Sequence, residues 1–263
     1  MNRIDFKFQQ LRRGGSKAAI AYLTVGFPDL ETSLNLARGL ARRGADIIEL
    51  GVPFSDPVAD GPTIQAASDR ALKGGVSLPK VFDFARRLRK KTDIPLLLMG
   101  YLNPFFSLPP ERLAKTAKEA GVDGLIVPDL PLEESQLLRD PLAKAGLDLI
   151  LLLAPTSSPS RIRRAAALGS GFIYYVSRAG VTGARKDLQE GLTKKVGEIR
   201  RVCRLPICVG FGVSTPDHVR KINRIADGVI VGSALMAPFL DLPPRQALRL
   251  SLKRWEEIFR KKA

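Results

Sequence analysis

The chain has few of the residues that build metal centres and disulfide frameworks. Its 263 residues include two cysteines and one histidine. Cys203 and Cys208 lie on either side of Pro206, without the spacing of a metal site or of a disulfide framework. His218 falls in a predicted helix away from any strand end. We therefore expect no metal ion, and a catalytic zinc site in particular is disfavoured.

Long hydrophobic runs are also lacking, and no apolar segment approaches the length that a membrane span needs. The opening segment, MNRIDFKFQQLRRGG, carries charges throughout and has no apolar core. It is typical of a short amphipathic helix and differs from a secretory signal. We expect a cytoplasmic protein that does not bind membranes.

Acidic residues are scarce relative to basic ones, which leaves a net charge of +16. Such a charge can indicate nucleic-acid binding. The basic residues are spread over many predicted helices, however, and no aromatic residues are interleaved among them for base stacking. Solvated helix faces are the favoured interpretation, thermal adaptation is a weaker one, and we expect no nucleic-acid partner.

Eight short apolar runs alternate with amphipathic segments along the whole chain. Several runs are almost continuously apolar, as in LDLILLL and IPLLLM, which is typical of strands covered on both faces in a parallel sheet. The predicted strands are Ala18–Leu23, Ala45–Leu50, Ile94–Met99, Asp123–Val127, Asp148–Leu153, Gly171–Val176, Pro206–Gly210 and Asp227–Val231.

The eight repeats predict an α/β fold, a single (β/α)8 TIM barrel over residues 1–263 with an extra N-terminal helix and extra helices around strand 8. Predicted helices end in glycine before the next strand, at Gly44, Gly121, Gly146 and Gly169, the sign of a left-handed C-cap. An open doubly wound sheet is the alternative. It is disfavoured because no GxGxxG turn follows the first strand.

Glu49 is the most unusual residue of the predicted sheet, because it places a carboxylate inside an apolar strand. Alternation puts it on the face opposite Ile48 and Leu50, which predicts that it points into the barrel mouth. A buried salt bridge is the alternative, but the neighbouring strands offer no obvious basic partner. Desolvation would raise its pKa and let it hold a proton for donation.

Two more acids follow in the loop PFSDPVADGP. Asp56 precedes Pro57, and we interpret it as a turn or loop-ordering residue. Asp60 precedes Gly61, near the start of a helix. It either caps that helix or faces the mouth to accept a hydrogen bond from substrate, and the residues alone leave both alternatives open.

Three segments at later strand ends complete the mouth. The stretch SRAGVTGARKDL after strand 6 predicts a loop of about a dozen residues up to a helix near Gly191, either a lid over substrate or a plain connection. GFGVST after strand 7 and GSAL after strand 8 are glycine-rich turns that open helices, with Ser214 or Thr215 capping the first. Such turns form the recurring phosphate site of barrels.

The predicted strand ends carry no lysine, which disfavours a Schiff-base mechanism. The residues therefore favour an enzyme that uses carboxylates on a phosphate ester without a cofactor or metal ion.

Five motifs together resemble the tryptophan synthase alpha subunit family over nearly the whole chain. They are ELGVPFSDPVADGPTIQ (Glu49–Gln65), VPDLPLEES (Val127–Ser135), SRAGVTGA (Ser177–Ala184), GFGVST (Gly210–Thr215) and GSAL (Gly232–Leu235). The resemblance implies a lyase of tryptophan biosynthesis that splits indole-3-glycerol phosphate into indole and glyceraldehyde 3-phosphate. It implies that Glu49 protonates the indole ring carbon and that Asp60 binds the indole N–H.

The resemblance also implies the remaining site residues. Tyr174 would lie near the catalytic glutamate, Thr182 would be the lid threonine that meets Asp60, and Asp56 would lie in the loop that contacts the partner subunit. The phosphate pocket would contain Gly183, Phe211, Gly212, Gly232 and Ser233. The indole slot would be lined by Tyr22, Met99, Ile126 and Pro128.

A beta subunit that carries pyridoxal phosphate is the implied partner, in an alpha2-beta2 heterotetramer, while this chain itself would hold no cofactor. A related phosphate-binding barrel and a basic RNA-binding protein are the alternatives. The first needs a lysine or a different acid at the strand ends, and the second predicts that Glu49 tolerates substitution.

Overall fold

All eight strands run parallel, pair in chain order and close on themselves, because β8 pairs with β1. The computed structural model describes residues 2–177, 185–210 and 212–260. The strands are β1 Ala18–Thr24, β2 Ile47–Gly51, β3 Leu96–Met99, β4 Gly124–Ile126, β5 Asp148–Leu153, β6 Ile173–Val176, β7 Ile207–Gly210 and β8 Gly228–Val231.

Helices follow the strands and form the outer layer of the barrel. The helices are α1 Arg3–Arg13, α2 Leu30–Arg42, α3 Pro62–Lys73, α4 Leu78–Arg89, α5 Leu102–Phe105, α6 Pro110–Glu119, α7 Gln136–Lys144, α8 Pro159–Leu168, α9 Arg185–Val202, α10 Pro216–Asn223, α11 Ser233–Met236, α12 Pro238–Asp241 and α13 Pro244–Phe259. The (β/α)8 barrel predicted from the sequence is therefore confirmed, with its additional N-terminal helix and short helices after β8.

Side chains alternate between the barrel interior and the helical layer, as strand geometry requires. In β2, Ile48 and Leu50 belong to the large apolar core between sheet and helices. Ile47 belongs to a smaller cluster inside the barrel, which also contains Ile20, Leu97 and Ile230. Two apolar layers on opposite faces explain why the strands read as nearly continuous hydrophobic runs.

Helix α1 closes the amino end of the barrel. Its fully buried Ile4 enters the interior cluster, and the Phe8 and Phe172 rings lie with centroids 5.7 Å apart. Asn2 caps the helix by accepting hydrogen bonds from the first-turn N–H groups. Its amide also donates to Asp148. The amphipathic N-terminal segment thus closes the amino end of the barrel, and the carboxyl ends of the strands form the open mouth.

The last helix, α13, covers the barrel beside α2. Gly39 permits the close approach of Leu252, because a Cβ there would overlap the leucine side chain. The buried Trp255 indole N–H donates to the Arg43 carbonyl over 3.0 Å. This helix therefore covers the core, as its apolar stripe predicts.

Two local expectations are wrong. Gly44, Gly121 and Gly146 follow their helices with positive φ angles, but Gly169 has φ −76°, and the positive angle of that turn falls on Gly171. The helix after β6 begins at Arg185, well before Gly191, so the connection is shorter than predicted. The assignment of residues 1–263 to one domain stays a prediction. Within the described ranges, every helix is too short or too polar to cross a membrane.

Candidate functional site

Glu49 points into the barrel near the carboxyl end of β2. Its backbone neighbours in register are Tyr22 on β1 and Leu97 on β3. The residue is fully buried, and neither carboxylate oxygen has a hydrogen-bond partner among the residues that the structure describes. A buried acid without a partner is costly, so its presence is a sign of chemistry more than of stability.

Burial raises the pKa of Glu49 to about 8. Desolvation is the cause, since it disfavours the charged form of a carboxyl group. The group is therefore mostly protonated near neutral pH. A carboxylic acid held neutral in this way can donate a proton, as the sequence predicts for it.

A cavity of about 420 Å³ opens at the mouth above this strand. It brings together residues that are far apart in the chain, from the β2–α3 loop, β3, β6 and the turns after β7 and β8. The lining residues are Tyr22, Asp60, Gly61, Thr63, Ile64, Met99, Tyr174, Gly212, Val213, Ser214, Ile230, Gly232, Ser233, Ala234 and Ala237.

Asp60 faces this cavity and does not cap the following helix, whose N-cap is Gly61 without a side-chain hydrogen bond. The Tyr101 hydroxyl donates to Asp60 Oδ2 over 3.1 Å. Burial raises the pKa of Asp60 to about 6, and the Tyr101 hydrogen bond opposes part of that rise. Asp60 is therefore mostly ionised at neutral pH, beside a glutamic acid that is mostly neutral.

Tyr22 and Tyr174 line the cavity as neutral phenols. The Tyr22 hydroxyl shares a 3.3 Å hydrogen bond with Thr24 Oγ1. Burial, followed by the charge of Asp60, raises the pKa of Tyr22, while burial and then Glu49 raise the pKa of Tyr174. Neither phenol can therefore act as a base near neutral pH, and both contribute shape and hydroxyl donors to the cavity.

The glycine-rich turns after β7 and β8 form the wall of the cavity that has no acidic residue. Gly212 has φ 72°, a conformation that favours glycine, and Thr215 Oγ1 caps α10 by accepting from His218 N. Gly232 precedes Ser233 at the start of α11. Helix N-termini and bare backbone N–H groups attract anions, so this wall suits the phosphate of a substrate.

Hydrogen bonds from α13 hold the turn after β8 and the short helix α11 in place. The Ser251 hydroxyl donates to the Leu235 carbonyl over 2.8 Å, and Arg254 donates to the Ala234 carbonyl. Both contacts come from α13, so the last helix positions α11 as well as covering the core.

A second cavity of about 370 Å³ adjoins the first and shares Met99 and Tyr174 with it. Pro128 and Leu152 belong to its largely apolar lining. Ile126, by contrast, is fully buried in the barrel interior and lines neither cavity. Of the predicted indole slot, Tyr22, Met99 and Pro128 thus reach open space.

The other predicted residues lie elsewhere. Asp56 is exposed, accepts a hydrogen bond from the Ser55 hydroxyl and lines neither mouth cavity. Thr182, Gly183 and Phe211 lie outside the described residues. The part of the chain that is described contains no group of three or more His, Cys, Asp or Glu side chains suited to a metal ion.

Tyr101 is the functional residue that sequence reasoning missed. It donates to Asp60 and also accepts from the Ala59 N–H over 2.9 Å. Its ring packs near Phe54, with centroids 5.3 Å apart. Tyr101 therefore fastens the acidic loop to the end of β3. The available signal was its position just after the strand-3 run, in MGY.

Comparisons with known proteins agree on one family. Residues 8–253 match the family model described as tryptophan synthase alpha chain. The tryptophan synthase alpha chain of Citrifermentans bemidjiense is 53% identical over 91% of this chain and 90% of that protein.

Solved structures give the same result. The alpha subunit from Legionella pneumophila is 36% identical, covers 98% of both chains and superposes with a TM-score of 0.88. A chain of the tryptophan synthase a2b2 complex from Pyrococcus furiosus is 36% identical over 92% of this chain and 97% of its own, with a TM-score of 0.86.

Proposed function

Because this chain belongs to the tryptophan synthase alpha chain family, a family of lyases, we propose that it cleaves indole-3-glycerol phosphate to indole and glyceraldehyde 3-phosphate. The observation that carries the proposal is the fully buried acid Glu49, which has no partner in the described part of the chain and is in register with Tyr22. Tyr22 lines a cavity whose other walls include Asp60 and the glycine turns of Gly212 and Gly232.

The two carboxyl groups divide the chemistry because their environments differ. The neutral Glu49 protonates the indole ring carbon that carries the glycerol phosphate chain, and its carboxylate then accepts the proton of the adjacent hydroxyl group as the carbon–carbon bond breaks. Protonation places positive charge on the indole nitrogen. The ionised Asp60 stabilises that charge by accepting the N–H hydrogen bond.

The substrate spans the cavity between these groups. Its phosphate binds at the turns of Gly212 and Ser233, where backbone donors and the start of α11 favour a dianion. Its indole ring lies between Met99 and Tyr174, toward the apolar second cavity. Anchoring at both ends holds the reacting carbon near Glu49, which supplies the orientation that such a step needs. The reaction uses no cofactor in this chain.

A beta subunit carrying pyridoxal phosphate is the proposed partner, in an alpha2-beta2 assembly, as named for the Pyrococcus furiosus relative. The loop that carries Asp60 continues outward through Asp56 and Val58, and Val58 is 82% exposed. An exposed apolar residue next to the mouth suits a surface across which indole passes directly to the partner.

Indole release from indole-3-glycerol phosphate, measured with the purified chain, tests the reaction. We expect slow release by the chain alone and faster release after addition of a tryptophan synthase beta subunit. Wild-type chain without substrate and Glu49→Gln with substrate are the controls. If wild-type chain releases no indole from the substrate, either alone or with the beta subunit, the proposed cleavage is refuted.

A further inference from the structure

A basic cavity lies on the outside of the barrel, away from the mouth. Its volume is about 380 Å³, and it lies between the C-terminal half of α2 and the turn that follows α4. Both segments lead into the amino ends of strands, so this groove is at the opposite end of the barrel from Glu49. Its lining residues are Asn35, Arg38, Ala41, Arg42, Lys91 and Thr92.

The three cations of this groove lack the partners that neighbouring cations have. Among the described residues, no hydrogen bond or ion pair is formed by the side chains of Arg38, Arg42 or Lys91. On the same helices, Arg87 pairs with Glu31, and the adjacent Arg43 pairs with Glu256 over 2.8 Å. The groove lining contains no acid at all. Arg87 and Arg43 thus form ion pairs close by, whereas the three cations of the groove do not.

Arg38 provides the independent observation that points to a ligand. Its Nε is buried and has no hydrogen-bond partner in residues 2–177, 185–210 and 212–260. Cations near helix C-termini often bond the last carbonyl groups there, and Arg43 does so with the Gly39 carbonyl. Arg38 makes no such bond, so the helix dipole does not account for its buried donor. Buried donors are rarely left unsatisfied.

We propose that this groove binds an anion of the phosphate class. The planar guanidinium of Arg38 presents donors that match two oxygens of a phosphate group, and Lys91 adds a point charge. Thr92 Oγ1 accepts from the Ile94 N–H over 3.4 Å, which leaves its own O–H free to donate. The cavity has room for more than one phosphate group, so a diphosphate is a suitable ligand.

Calorimetric titration with inorganic pyrophosphate tests the proposal. The titration is done in the Ser233→Asp background, because a carboxylate there repels anions from the mouth and isolates the outer groove. We expect pyrophosphate to bind the Ser233→Asp protein with one site per chain. Arg38→Gln with Arg42→Gln should weaken that binding at least ten-fold.

The matched control removes the same charge elsewhere, through Arg163→Gln with Arg245→Gln, two exposed arginines. This pair should change the affinity less than two-fold, because exposed charges at a distance are screened by salt. If Arg38→Gln with Arg42→Gln does not fold by circular dichroism, the exposed pair Arg42→Gln with Lys91→Gln replaces it, with the same expectation. Equal weakening by the groove and control pairs, or no binding to the Ser233→Asp protein, would overturn the proposal.

Discussion

Both ends of the barrel contain a buried carboxyl group, but the two groups differ in their hydrogen-bond partners. At the amino end, Asp123 is 2% exposed in its side chain and accepts hydrogen bonds from Arg3, Arg89 and the Leu96 N–H. At the mouth, Glu49 is fully buried, and neither of its oxygens has a partner within the described part of the chain. The same chemical group therefore holds the fold together at one end and remains available for reaction at the other.

This contrast explains how one barrel serves stability and chemistry at once. Helix α1 plugs the amino end and supplies Arg3 and Asn2 to its acids. Nothing comparable covers the mouth in the described part of the chain, where cavities of about 420 and 370 Å³ remain. Loops at the carboxyl ends are free to vary, while the plugged end fixes the strands that carry them.

Glu49→Gln, at the mouth, should produce the largest effect. Glutamine has nearly the same shape but cannot donate the proton, so we expect indole formation to fall on the order of 1,000-fold. The fold should remain, because no hydrogen bond to the carboxylate is lost. Steady-state indole release and a thermal melt check both parts. Activity within ten-fold of wild type would show that another group donates the proton.

Asp123→Asn is the converse change at the amino end. It removes the negative charge that two arginines face, and we expect the free energy of unfolding to fall by about 3 kcal/mol. Activity per folded molecule should change little, because Asp123 lies beyond the strand ends opposite the mouth. Urea denaturation monitored by circular dichroism measures the loss. A variant as stable as wild type would mean that the ion pairs of Asp123 with Arg3 and Arg89 contribute little to the free energy of unfolding.

The sequence predicts the strands well because parallel strands covered on both faces give an unmistakable apolar pattern. It also predicts Glu49, since one carboxylate in such a run stands out. It leaves Asp60 undecided, because the residue that settles its role is Tyr101, 41 positions away. Local pattern cannot reveal that contact. For the same reason, the sequence does not reveal the unpartnered Arg38 Nε, because its environment depends on how α2 packs beside α4.

Stability should also depend on pH through the buried carboxyl group of Glu49. The folded-state pKa is about 8, above the ordinary value of 4.5. The folded chain therefore holds an extra proton between those values, and this contribution to stability is lost as pH rises through about 8.

Glu49→Gln removes this dependence. The variant should match wild type near pH 5 and exceed it by about 3 kcal/mol near pH 8. Denaturation at both pH values, with wild type as reference, measures the difference. A difference that does not change with pH would place the Glu49 pKa near that of an exposed glutamate.

Tyr101→Phe tests Asp60, an acid whose pairing lies between that of Glu49 and that of Asp123. Asp60 is half-buried, and within the described ranges its one side-chain partner is the Tyr101 hydroxyl at 3.1 Å. Because that hydrogen bond favours the charged form of Asp60, its loss should raise the pKa of Asp60 above about 6. A smaller fraction of Asp60 is then ionised, so the acid limb of the kcat/KM profile should move to higher pH.

We expect kcat/KM to fall about three-fold at pH 7. At pH 6 the loss should be larger, equivalent to roughly 1 kcal/mol. Asp60→Asn is the reference, with a lower kcat/KM and no acid limb in this pH range. If Tyr101→Phe lowers activity equally at pH 6 and pH 8, the tyrosine acts by fastening the loop through the Ala59 N–H, and the acid limb belongs to another group.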